Sequence, residues 1–168
     1  MAAIDLLFDV KKDSERLHLL VLGALLSRTR LLSRLLPLRS MPVPPLVLLW
    51  EPEGKAYDLA LLLPAEGGQG RGRVLVELRI DNGLSEDQVA QQLNPGRFSD
   101  EDRLLYLLLG YSGVTTDCAA IRARIQHLGE RTGRPDLIDR VSFRDATDLI
   151  PLLADPTLWP ESGPDHRD

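Results

Sequence analysis

Tyr57-Asp58-Leu59-Ala60-Leu61-Leu62-Leu63 and Val74-Leu75-Val76-Glu77-Leu78-Arg79-Ile80 are two apolar runs, each with one carboxylate embedded in it. An acid inside a strand-like run is costly to bury unless something recruits it. If 74–80 is a strand, Leu75, Glu77 and Arg79 project from one face and Val74, Val76, Leu78 and Ile80 from the other. Glu77 and Arg79 then sit side by side. The same alternation in 57–63 groups Asp58 with Ala60 and Leu62, opposite Tyr57, Leu59, Leu61 and Leu63.

The link from Pro64 to Arg73 contains Gly67, Gly68, Gly70 and Gly72. It reads as a hairpin loop returning the second strand antiparallel to the first. That pairing brings Asp58 and Glu77 together. Two carboxylates on one sheet face suit a hard divalent cation, because Mg²⁺ takes oxygen ligands and commonly uses one or two carboxylates plus water and phosphate. A solvated Asp58 at a strand edge and an ordinary Glu77–Arg79 ion pair would satisfy the same pattern. The glycines are no phosphate loop, since no Lys-Ser/Thr helix start follows them.

Asp58, the hairpin, Glu77-Leu78-Arg79, and a polar turn before Ser85-Glu86-Asp87-Gln88 together resemble the PD-(D/E)XK, or restriction endonuclease-like, nuclease superfamily. Ser14-Glu15, opening a long first helix, is similar to the upstream acidic helix of many members, and the resemblance covers residues 13–153. It implies an α/β fold with an αβββαβ core, a mixed central sheet flanked by helices. Asp58 and Glu77 would hold Mg²⁺ or Mn²⁺ with the Leu78 carbonyl, while Gln88 and Glu15 would assist from flanking helices. The implied activity is hydrolysis of a DNA or RNA phosphodiester, in bacterial defence or DNA processing.

Arg79 departs from the pattern, which has lysine there. Arginine reaches phosphate and keeps its charge but is effectively never deprotonated, so base-like roles are excluded and electrostatic ones remain. The chain has only Lys11, Lys12 and Lys55, so a general preference for arginine accounts for the exchange as readily as decay does. Lys55 would face the other side of a regular strand from Asp58. The competing functional reading is a nuclease fold that has lost catalysis and serves as a binding or scaffold subunit.

Local chemistry also offers simpler roles. Ser85 and Gln88 are spaced as a capping box, and Glu15 in a first turn complements the helix dipole. His18 and His127 lie on helices without ligand spacing. Cys118 permits no internal disulfide, which suits a reducing cytoplasm. Asp5, Asp9 and Asp13 stand where an export signal would be basic, and the apolar run Leu17–Leu26 is too short to span a bilayer.

The 168 residues read as one domain, 1–154, followed by a Pro-rich flexible tail, 155–168. The net charge of −5 gives no global attraction to nucleic acid, so phosphate binding would fall to local arginines. Three clusters qualify: Arg28, Arg30, Arg34 and Arg39; Arg71, Arg73 and Arg79; and Arg122, Arg124, Arg131, Arg134, Arg140 and Arg144. Solvated faces and ion pairs account for any single one equally well.

The pattern predicts a helix over 14–36, apolar nearly all round and therefore central or a homodimer contact. Beyond it come a strand over 46–50, a turn at 51–54, a helix over 85–93, and a segment at 103–109 whose pattern fits strand or helix. A helix over 117–131, a strand over 138–143 and a helix over 145–153 complete the order. The absence of a separate recognition domain points to protein partners supplying specificity.

Overall fold

The computed structural model describes residues 15–37, 46–63, 72–80, 84–109 and 117–158. Its elements run in the order α1 (Glu15–Arg28), α2 (Leu31–Leu35), β1 (Val47–Trp50), α3 (Pro52–Lys55), β2 (Leu59–Leu62) and β3 (Arg73–Arg79). They continue as α4 (Glu86–Gln92), β4 (Arg103–Leu108), α5 (Cys118–Thr132), β5 (Val141–Asp145) and α6 (Ala146–Leu153). The five strands form one mixed open sheet in chain order. β1, β2 and β3 make an antiparallel meander, and β4 and β5 run parallel to β3. The chain is thus α/β, with helices packed on the sheet. The ambiguous 103–109 segment is a strand because it lies inside the sheet, buried by both neighbours.

The predicted alternation in β3 holds and divides the core. Val74, Val76 and Leu78 join Leu59, Leu61, Leu105 and Leu107 under α1, α2 and α6. Leu75 joins Ala60, Leu104, Tyr106 and Phe143 under α4 and α5. Tyr57 departs from the expected face, because the chain leaves regular β geometry before Leu59. Its buried ring packs in Ala60's layer.

The single first helix is two helices. Thr29 is buried, its hydroxyl donates to the Leu25 carbonyl over 2.6 Å, and the same oxygen accepts from the Leu31 amide at 3.1 Å. A threonine that bonds the backbone locally competes with the helix ladder, and here it ends one helix and starts the next. The freed Arg30 N–H donates to the Leu158 carbonyl at 2.9 Å. Residues 156–158, expected in an extended tail, therefore form a 3₁₀ turn with Leu158 buried. Leu22, Leu25 and Leu26 of α1 are spent on the core, whereas Leu17 and Leu20 stay exposed.

Two smaller boundaries also shift. The turn at 51–54 becomes one helical turn, with Glu51 left-handed at φ 44° and Pro52 in the first helical position. The last strand starts at Val141 rather than 138, because Pro135–Arg140 winds into a 3₁₀ helix. The later helices start within a residue of where the pattern places them, each behind a capping aspartate. Asp117 accepts from the Ala119 and Ala120 amides, and Asp145 and Asp148 form a capping box on α6. Among the described residues no helix is long and apolar enough to cross a membrane.

Candidate functional site

The β2–β3 ladder stops at Leu59 opposite Val76, and one further bond joins the Asp58 N–H to the Val76 carbonyl at 3.1 Å. The next donor on β3, the Leu78 amide, finds no strand opposite it. It donates to Asp58 Oδ2 at 2.7 Å. The carboxylate thus replaces a missing ladder carbonyl, which fixes Asp58 beside β3 at the level of Glu77. Leu78 meets Asp58 through its N–H.

Glu77 follows Leu75 on the same face and is only 4% exposed. A buried carboxylate needs donors, and Glu77 Oε1 has two. Gln88 Nε2 donates at 2.8 Å, and an Arg79 guanidinium N–H also donates. Arg79 and Glu77 meet because alternate strand residues share a face. Gln88 reaches them because α4 crosses that face, with its start set by Ser85, whose hydroxyl accepts from the Gln88 amide at 3.2 Å. The glutamine therefore contributes its backbone N–H to the cap and its side-chain amide to Glu77. The reciprocal half of the expected capping box, Gln88 bonding back to the Ser85 amide, gives way to the bond to Glu77.

Asp58, Glu77, Arg79 and Gln88 line one polar pocket of about 370 Å³. The four residues expected to act together on β2, β3 and the following helix do converge. The side chain of Glu15 lies outside the described residues, as do Lys11, Lys12 and the side chain of Lys55.

Sequence reasoning missed three further walls of this pocket: Gln91, Gln92 and Arg97. Gln88, Gln91 and Gln92 are spaced i, i+3, i+4 on α4 and so share a helix face, a legible signal. Arg97 carried no such signal, since it follows the helix in an irregular turn.

Gln92 ties the pocket floor together. Its Nε2 donates to the Ala56 carbonyl at 2.8 Å, and its Oε1 accepts from the Tyr106 hydroxyl at 2.6 Å. The Tyr57 hydroxyl donates to its backbone carbonyl. Three segments, 56–57, α4 and β4, are thereby joined beneath Asp58 and Glu77. Burial pushes the Tyr106 phenol well above its ordinary pKa, and the nearby negative charge of Glu77 adds to the effect.

The donor set admits a hard divalent cation in a limited way. Among the described residues no group of three or more His, Cys, Asp and Glu side chains comes together, so Asp58 and Glu77 would be the protein's carboxylate ligands. Two carboxylates with water and substrate completing the shell is an arrangement Mg²⁺ accepts. Arg79 competes with it for Glu77 Oε1.

Most of the arginines proposed as phosphate clusters are engaged inside the fold. Arg73 pairs with buried Asp102 at 2.6 Å, and Arg134 and Arg140 lie 3.1 and 3.5 Å from Asp100. Arg140 also pairs with Asp136, Arg124 lies near Glu86, and Arg34 lies near Asp155. Arg144 donates to the Leu35 carbonyl, and Arg122 stacks on Phe143. Arg39 and Arg71 lie outside the described residues. No protein-family model matches the chain, and neither the curated proteins nor the solved structures yield a match.

Proposed function

We propose that this protein is a metal-dependent nuclease of the PD-(D/E)XK type, hydrolysing DNA or RNA phosphodiester bonds at the pocket between β3 and α4. The observation that carries the reading is the convergence of Asp58, Glu77, Arg79 and Gln88, three of them joined by hydrogen bonds through Glu77 Oε1. With the short helices α2 and α3 set aside as insertions, the order α1, β1, β2, β3, α4, β4 supports an αβββαβ core.

Asp58 and Glu77, with the Leu78 carbonyl, would hold Mg²⁺ or Mn²⁺. The ion supplies a Lewis acid for the phosphate and makes water more acidic. Gln88 orients Glu77. Arg79 lines the pocket and keeps part of its side chain exposed, so its guanidinium can meet a phosphate oxygen. Its fixed charge then offsets the negative charge that builds on the phosphate oxygens, with no proton transferred.

A second reading, a nuclease fold without catalysis that acts as a binding or scaffold subunit, is favoured by the Arg79–Glu77 contact, which neutralises a carboxylate needed for metal. Cleavage assays with Mg²⁺ or Mn²⁺ on single- and double-stranded DNA and RNA separate the two. Cleavage that Glu77→Gln abolishes supports the nuclease. An inactive wild type with activity appearing in Arg79→Lys supports the degenerate site. A homodimer through the exposed part of α1, around Leu17 and Leu20, belongs to the same proposal, and a monomer mass at micromolar concentration would reject it.

A further inference from the structure

We propose that Arg97 is the residue of this pocket that binds a backbone phosphate of a nucleic-acid strand. The assignment rests on the pocket's taking nucleic acid, a property shared by the active and the non-catalytic readings.

Among the described residues, Arg79 and Arg97 are the two basic residues of the pocket wall. Arg79 spends a terminal nitrogen on Glu77. The Arg97 side chain, by contrast, makes no hydrogen bond or ion pair among the described residues, and it is exposed. Its planar set of donors is therefore available for two-point contact with phosphate oxygens.

An exposed arginine in a turn is ordinarily a solvated rotor, and here the backbone argues otherwise. The Arg97 carbonyl accepts from Arg73 Nη2 at 3.1 Å, the Phe98 carbonyl from Arg134 Nη2 at 2.9 Å, and the Ser99 carbonyl from Arg140 Nη1 at 2.9 Å. Three consecutive carbonyls are each held by a different guanidinium. The Arg97 and Phe98 amides both donate to the Asn94 carbonyl at 2.9 Å. Arg134 and Arg140 also lie against the Phe98 ring, 5.5 and 5.3 Å from its centroid, so the buried ring fixes the same turn from inside. Such charged, partly buried groups are expensive to place, and their joint effect is to hold one short turn rigidly against the pocket. Arg97 is the side chain that this turn presents there.

The charge balance gives Arg97 a use. With Glu77 and Asp58 in the pocket, an approaching phosphodiester meets like charge. A cation carried into the same pocket by a held turn offsets that repulsion and orients the strand, as phosphate contacts do without reading base identity.

The test is binding of a short fluorescein-labelled single-stranded oligodeoxynucleotide by the full chain with Ca²⁺, read by anisotropy across a salt series. Arg97→Gln is expected to weaken binding roughly fivefold at about 0.1 M salt and to flatten the slope of log K against log salt by about 0.7, the loss of one single-strand phosphate contact. Arg97→Lys, which keeps the charge but not the two-point contact, should retain the slope with an affinity between those of the wild type and Arg97→Gln. His127→Gln, on the exposed side of α5, should leave affinity and slope unchanged. Wild-type affinity and slope in Arg97→Gln, or no oligonucleotide binding by the wild type, overturns the proposal. So does equal displacement of the strand by inorganic phosphate at matched ionic strength. Because the readout is binding, a failure of the cleavage assay leaves this result distinct.

Discussion

Gln88 Nε2 donates to Glu77 Oε1 over 2.8 Å, and this bond ties the first turn of α4 to the third strand inside the candidate site. Because Glu77 is buried, the bond joins a neutral donor to a carboxylate that water scarcely reaches. Gln88→Ala is predicted to lower stability by about 2 kcal/mol, in the range for a hydrogen bond to a charged group. A double-mutant cycle with Glu77→Gln, read by urea unfolding, should give a coupling of about 1 kcal/mol. Additive effects would show that the Gln88 side chain is not coupled to Glu77.

Arg79 balances the charge of Glu77 from the same strand face. Replacing it with methionine keeps much of the apolar stem but leaves a buried carboxylate without its cation, at a cost of about 3 kcal/mol. If Asp58 and Glu77 accept a divalent ion, Mn²⁺ should raise the melting temperature of Arg79→Met more than that of the wild type, since the ion binds only the folded state. Melting curves insensitive to Mn²⁺ in both proteins would count against the metal site.

Tyr106 makes the alkaline limb of stability informative. Its folded pKa is raised, so below the ordinary phenol value of about 10 both states hold the proton and stability is at its full level. As pH rises past that value the unfolded chain releases the proton while the folded phenol keeps it, and stability falls. Tyr106→Phe is predicted to cost about 1 kcal/mol near neutrality through the lost bond to Gln92. It should also reduce the decline at high pH. Urea midpoints near pH 8 and above pH 10, compared between wild type and variant, check both parts.

Gly129 in α5 has the Arg134 carbonyl oxygen 2.5 Å from where a Cβ would stand. The Arg134 amide also donates to the Gly129 carbonyl at 2.8 Å, closing the helix end where Gly133 adopts φ 71°. Gly129→Ala must push this turn away, and a destabilisation of about 2 kcal/mol is expected from overpacking. The same shift displaces Arg134 from the Phe98 carbonyl. Thermal unfolding reports the first effect, and weakened oligonucleotide binding by the folded variant would report the second.

The alternation of β3 was legible in the sequence because a strand's period of two separates Val74, Val76 and Leu78 from Leu75, Glu77 and Arg79 whatever the neighbours are. The Ser85 cap and the helix starts at Asp117 and Asp145 were legible too, since a short polar side chain before a helix satisfies amides within three residues of itself. Those local rules brought Asp58, Glu77, Arg79 and Gln88 to one face of a mixed α/β sheet. They could not reveal that Thr29 ends α1, because the hydroxyl's choice depends on a break whose N–H finds the Leu158 carbonyl, far along the chain. Nor could they assign the arginines. A guanidinium's partner is set by which carboxylates and carbonyls the fold brings within reach, and it was tertiary packing that drew Arg73, Arg134 and Arg140 into holding one turn and left Arg97 at the pocket wall without a partner among the described residues.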